Sequence, residues 1–65
     1  MYLCWFDDNP KRPLADKIAA AAEAFTLRFH VAPSVILVNE ADAHPTATVS
    51  PLVRKNNFYV GMVQA

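Results

Sequence analysis

Asp7 and Asp8 follow the apolar run Tyr2 to Phe6, and Asn39, Glu40 and Asp42 follow or close a second run that begins at Ser34. If both runs are parallel strands of one sheet, both acidic sets reach its carboxyl edge, where open α/β sheets hold their ligands. Oxygen ligands converging there would hold Mg²⁺ and orient a phosphate, with His44 alongside as acid or base. The chemistry would be metal-dependent phosphoryl transfer or hydrolysis, with Asp7, Asp8, Glu40 and Asp42 as metal ligands. Against it, acidic and amide residues also end strands because they build turns and solvate loops. Their spacing here matches no defined metal signature.

A second chemistry is nucleic-acid binding. Arg54 and Lys55 precede the aromatic stretch NNFYVGM, and a sheet presenting Tyr59 or Phe58 beside that charge could stack the bases of a single strand. Six basic and six acidic residues leave no formal net charge, so no long-range field draws nucleic acid or acidic lipid to the chain. With Gly61 the only glycine, the glycine pattern of a sheet-surface RNA reader is absent. A basic turn ahead of core aromatics explains the same residues, and nucleic acid is not the expected partner.

The remaining reactive side chains read as structural. Cys4 is the only cysteine, so it cannot pair within the chain, and its apolar neighbours suit an inert buried thiol. His30 suits a helix end and His44 a loop. Trp5 fits either an interface anchor or the core. One glycine cannot build a phosphate-cradling loop, and no serine–histidine–acid arrangement can be placed. The sequence implies no cofactor and leans away from catalysis.

The element that must position all of these is a helix from Pro13 to His30. Leu14, Ile18, Ala21, Ala22, Phe25 and Phe29 share one helical face, while Asp16, Lys17, Glu23 and Thr26 lie off it. Pro13 suits the helix start, and Arg12 is expected to pair with Asp16. Pro33 excludes helical geometry at Ala32. Around the helix the spacing predicts strands at Tyr2–Phe6, Ser34–Asn39, Thr46–Ser50 and Phe58–Val63. The first two should be parallel. Pro51 makes the third an edge strand, and it or Leu52-Val53 is expected to form an antiparallel hairpin with the last. The expected fold class is α+β: one small β-α-β-β domain over residues 1–65, with a mixed three- or four-stranded sheet and one helix packed on one face.

A chain of 65 residues buries only about 60% of its unfolded surface, so its core needs reinforcement. Neither a disulfide nor a Cys/His zinc cluster is available, whereas 54% hydrophobic composition favours oligomerisation. No stretch approaches the ~20 apolar residues of a membrane span, and the amino terminus lacks the basic region and long apolar core of an export signal. No membrane association and a cytoplasmic location are the expectations.

Both faces of the first, second and last strands are apolar, yet one helix covers only one face. About six large side chains would remain wet, each worth ~1.5–3 kcal/mol if buried, and such a patch exceeds what a soluble monomer normally exposes. The expected function is therefore a small non-catalytic assembly module that self-associates through the apolar sheet face or an edge strand, most simply as a homodimer, with a different protein or an apolar ligand as the other possible cover. Leu3, Trp5, Ile36, Val38, Tyr59 and Val63 are the expected interface. The opposite phase takes their place if the helix packs on the other side.

Overall fold

The computed structural model describes residues 2–62. In chain order it has β1 (Tyr2–Phe6), α1 (Leu14–Phe29), β2 (Val35–Val38), one turn of 3-10 helix (Glu40–Asp42), β3 (Thr48–Val49) and β4 (Asn57–Gly61). The architecture is α+β, one helix on a four-stranded mixed sheet of order β1-β4-β2-β3.

Pro13, with φ −59° and ψ 146°, stands just outside α1. Its carbonyl accepts the N–H groups of Asp16 and Lys17, both at 3.1 Å; the bond from Lys17 opens the regular helical ladder, and that from Asp16 satisfies one of the donors that a helix start leaves open. At the other end His30 takes a left-handed conformation, φ 60°, and its N–H donates to the Thr26 carbonyl at 2.8 Å. The Arg12–Asp16 pair expected from helical spacing does not form. Arg12 precedes the helix, in a turn whose N–H donates to the Asn9 carbonyl, and its guanidinium meets Asp7 at 3.3 Å.

β1 and β2 are parallel to each other because each lies antiparallel to β4 between them. The hairpin expected between the last two strands is thus corrected. β4 occupies the sheet centre, and β3 runs parallel to β2 at the outer edge, with Thr48 opposite Leu37. Phe58 and Val60 explain the central place: both are fully buried, which only a strand flanked on both sides achieves readily. β3 is two residues long, with Pro51 close behind, and suits an edge.

The register sorts the side chains into two faces. On one, Leu3, Val60 and Ile36 form a row, and Trp5, Phe58 and Val38 form the next. α1 covers this face, its Ile18, Ala21 and Phe25 packing on Val38, Phe58 and Val60, with Leu3, Trp5 and Ile36 around them. Ala21, fully buried, has no side chain beyond Cβ and lets the helix approach the strands closely. Leu14, Phe29 and Met62 complete the rim, and the Phe25 and Phe29 rings lie 4.7 Å apart between centroids.

This corrects the expected open face. Leu3, Trp5, Ile36 and Val38 lie beneath the helix, and the opposite phase of β1 and β2 faces away from it. The phases differ little in apolar content, so the choice falls to fit. β4 sets Phe58 and Val60 toward the helix, and β1 and β2 must present their register partners on that side. Tyr59 does lie on the uncovered face. Val63 falls outside the described residues. Cys4 is exposed rather than buried.

Candidate functional site

The uncovered face is built from three rows across the strands. Tyr2, Gly61 and Val35 form the first; Cys4, Tyr59, Leu37 and Thr48 the second; Phe6 and Asn57 the third. None of these residues is charged. The exposed aromatics stand out: Tyr2 is 52% accessible, Phe6 61% and Tyr59 39%. Val35 and Leu37 are half-buried between their neighbours. Because Gly61 has no side chain, the first row carries Tyr2 and Val35 with nothing between them. Across this surface the Cys4 thiol makes a weak hydrogen bond to Asn57 Oδ1 at 3.9 Å.

The acidic residues do reach one edge of the sheet, since β1 and β2 end on the same side. They are held apart there. β4 lies between the two strands, placing their ends roughly 10 Å from one another. The intervening space is filled by the turn that leads into β4. Asp7 N–H donates to the Asn56 carbonyl at 3.0 Å, and Asp42 Oδ2 accepts the Asn56 N–H at 2.8 Å. The Asp7 carboxylate is engaged by Arg12 Nη1 and by the Asn9 N–H. Asp8 and Glu40 are exposed. Among the described residues no group of three or more His, Cys, Asp and Glu is placed to hold a metal ion. His44 turns to its own loop, with Nδ1 2.8 Å from the Thr46 hydroxyl.

Asn39 is structural in the same region. Its Oδ1 accepts the Ala41 N–H and caps the 3-10 turn, while its Nδ2 donates to the Val53 carbonyl at 2.8 Å. A shallow cavity of about 390 Å³ lies beside it, lined by Asn39, Glu40, Val49, Ser50 and Pro51. Glu40 is its one charged wall.

Arg54 and Lys55 are exposed in the turn before β4, and Asn56 takes a left-handed conformation there, φ 67°. Phe58 points into the core and Tyr59 outward, so a single β4 aromatic remains for stacking. The two cations share their end of the sheet with Asp7, Asp8, Glu40 and Asp42, and no basic stripe runs along the aromatic face.

The residues missed by sequence reasoning are Tyr2, Cys4, Phe6, Val35 and Leu37. Their signal was present as one alternation phase of each strand, undistinguished from the other phase because neither contains a charge. Among the described residues, no helix is long and apolar enough to cross a membrane. No protein family, no curated protein and no solved structure matches the chain.

Proposed function

We propose that this chain is a small assembly module that associates with a second copy of itself by burying the open face of its sheet. The supporting observation is the face itself: Tyr2, Cys4, Phe6, Val35, Leu37 and Tyr59 on one side of the sheet, three of them large exposed rings, with no charge among them.

A second copy suits this surface better than a charged partner. In a two-fold contact the same patch meets itself, and an uncharged patch on a chain of zero formal net charge meets no like-charge repulsion. Interface centres are depleted of charge and enriched in Tyr and Phe. The acidic edge and the Arg54-Lys55 turn lie at the periphery, where the polar rim of such a contact belongs.

Size limits how tight this contact is. Strands of five, four, two and five residues, about 4.8 Å apart and rising about 3.3 Å per residue, give a footprint of roughly 250 Å². Two such footprints fall short of the ~1,000 Å² that marks a stable interface, although protruding rings add to it. Face-to-face contact alone therefore makes a weak, concentration-dependent dimer. Light scattering across a dilution series tests the reading: the mass should fall from a multiple of the 7.2 kDa chain toward the monomer. A constant monomer mass at the highest attainable concentration would refute it.

A further inference from the structure

The sheet has two edges, β1 and β3, and they differ in protection. β3 spans two residues between Pro45 and Pro51, a short proline-flanked edge of the kind that resists pairing. β1 spans five residues, YLCWF, with no charge, proline or glycine. Long uncharged edges of this kind are pairing surfaces unless something covers them.

The direction of the backbone groups follows from the ladder. Asp7 stands opposite Asn56 in continuation of the β1–β4 register, and its N–H donates to the Asn56 carbonyl. Hydrogen-bonded and non-bonded pairs alternate along an antiparallel ladder, so Trp5 and Leu3 also direct their N–H and C=O groups at β4. Those of Tyr2, Cys4 and Phe6 point outward. Among the described residues, no backbone hydrogen bond outside the ladders involves any of the three. Their donors and acceptors recur every second residue, a spacing that only another extended strand matches.

We propose that two copies of the chain pair antiparallel through their β1 edges, about a two-fold axis at Cys4, joining the two sheets into one. This register sets Tyr2 opposite the partner's Phe6, Cys4 opposite the partner's Cys4, and Phe6 opposite the partner's Tyr2. Every outward donor and acceptor of the strand then finds a partner. A shift of one residue sets outward groups against inward ones, and a shift of two loses one of the three bonded pairs. The chosen register also repeats an aromatic Tyr–Phe pair on the open side. Beneath it, Leu3 meets the partner's Trp5, extending the covered core across the junction. No charge opposes the contact, and about the Cys4 axis the strand is its own complement, which favours a second β1 over a foreign strand. The contact is distinct from stacking of the open faces and does not require it.

Proline at position 4 removes the outward N–H that edge pairing needs while keeping a small uncharged side chain in the open face, so it weakens the edge contact first. The Cys4 N–H lies outside the β1–β4 ladder, and proline is tolerated on an edge strand when its nitrogen faces outward. Cys4→Pro should halve the mass of the assembly while leaving the far-ultraviolet circular dichroism unchanged. Tyr59→Lys, in the face but away from the edge, should leave an edge-paired dimer. A mass reduced by Tyr59→Lys but not by Cys4→Pro overturns edge pairing and leaves the face reading standing. The reverse result supports edge pairing and overturns the face reading.

Oxidation of the unmodified chain provides a test that does not depend on how Cys4→Pro folds. The two Cys4 Cα atoms would lie about 5.5 Å apart across a bonded pair, within the 4.4–6.8 Å range of disulfides, and a small local twist brings the Cβ atoms from their wider cross-strand spacing into bonding range. Diamide should take two electrons and two protons from the two thiols, becoming a hydrazine as the S–S bond forms, and give a covalent dimer. A control with Cys4→Ser and Leu27→Cys carries its thiol on an exposed helix position and should cross-link at least tenfold more slowly. Equal rates would overturn the proposal.

Discussion

The Asp42 carboxylate accepts a 2.8 Å hydrogen bond from the backbone N–H of Asn56, fourteen residues further along the chain. That bond ties the turn after β2 to the turn before β4 and commits one Asp42 oxygen to the backbone. Asp42 is 9% accessible. Removing its carboxylate leaves a part-buried donor unpaired, at a cost of about 1–3 kcal/mol. Asp42→Ala should lower the urea midpoint accordingly. Asp42→Asn, which keeps an acceptor, should lose less. Calorimetric titration with Mg²⁺ should release no heat; saturable binding abolished by Asp7→Ala or Glu40→Ala would show that the loops rearrange around an ion.

Among the described residues, two other than glycine hold positive φ, His30 at 60° and Asn56 at 67°. They are not equivalent. Both residue types visit the left-handed region more than most, but asparagine's short amide can hydrogen-bond locally there and carries the smaller penalty. His30→Gly at the end of α1 should therefore stabilise the fold by about 0.5–1 kcal/mol, with an unchanged denaturant slope. Asn56→Gly should gain less than half of that. A destabilising His30→Gly would mean that the ring makes a contact outweighing the backbone relief.

These contrasts show what the sequence made legible. The helix was readable because Leu14, Ile18, Ala21 and Phe25 follow a single period with a polar back, and the strands because turn residues punctuate short apolar runs. Strand order was not readable. Nothing local to Asn57–Gly61 says that it inserts between β1 and β2; that depends on Phe58 and Val60 finding neighbours on both sides. The face assignment failed for a related reason. Tyr2, Cys4 and Phe6 are as apolar as Leu3 and Trp5, and Val35 and Leu37 as apolar as Ile36 and Val38, so alternation alone had no polar member to break the tie. The same property that hid the open face makes it a candidate for self-association.

Trp5 carries the one buried side-chain polar atom without a partner among the described residues, its indole Nε1. An enclosed unpaired donor costs roughly 1–3 kcal/mol, which offsets part of what the large ring contributes by packing. Trp5→Phe should therefore change stability by less than about 1 kcal/mol, the lost area balancing the relieved donor. Trp5→Ala, which empties the site, should cost about 3–5 kcal/mol. If Trp5→Phe is instead as damaging as Trp5→Ala, the indole is held by an interaction of its N–H in solution.

Association through an uncharged face has a salt signature opposite to that of nucleic-acid binding. Excluded salts such as sulfate strengthen apolar burial, so self-association should tighten as sulfate is added, and the melting temperature should rise with protein concentration. Contacts from Arg54 and Lys55 to phosphate would weaken steeply as salt increases. In the Cys4→Pro chain, where only the face contact is left, Tyr59→Lys and Leu37→Lys place a charge in the middle of the face and should shift the dilution midpoint at least tenfold upward. Leu27→Lys and Leu52→Lys replace side chains that are 70% and 89% accessible and lie off the face, and should leave it unchanged. Equal effects from all four variants would mean that general surface hydrophobicity, rather than this face, drives association. Association that weakens with salt and disappears with Arg54→Ala and Lys55→Ala would transfer the role to the basic turn.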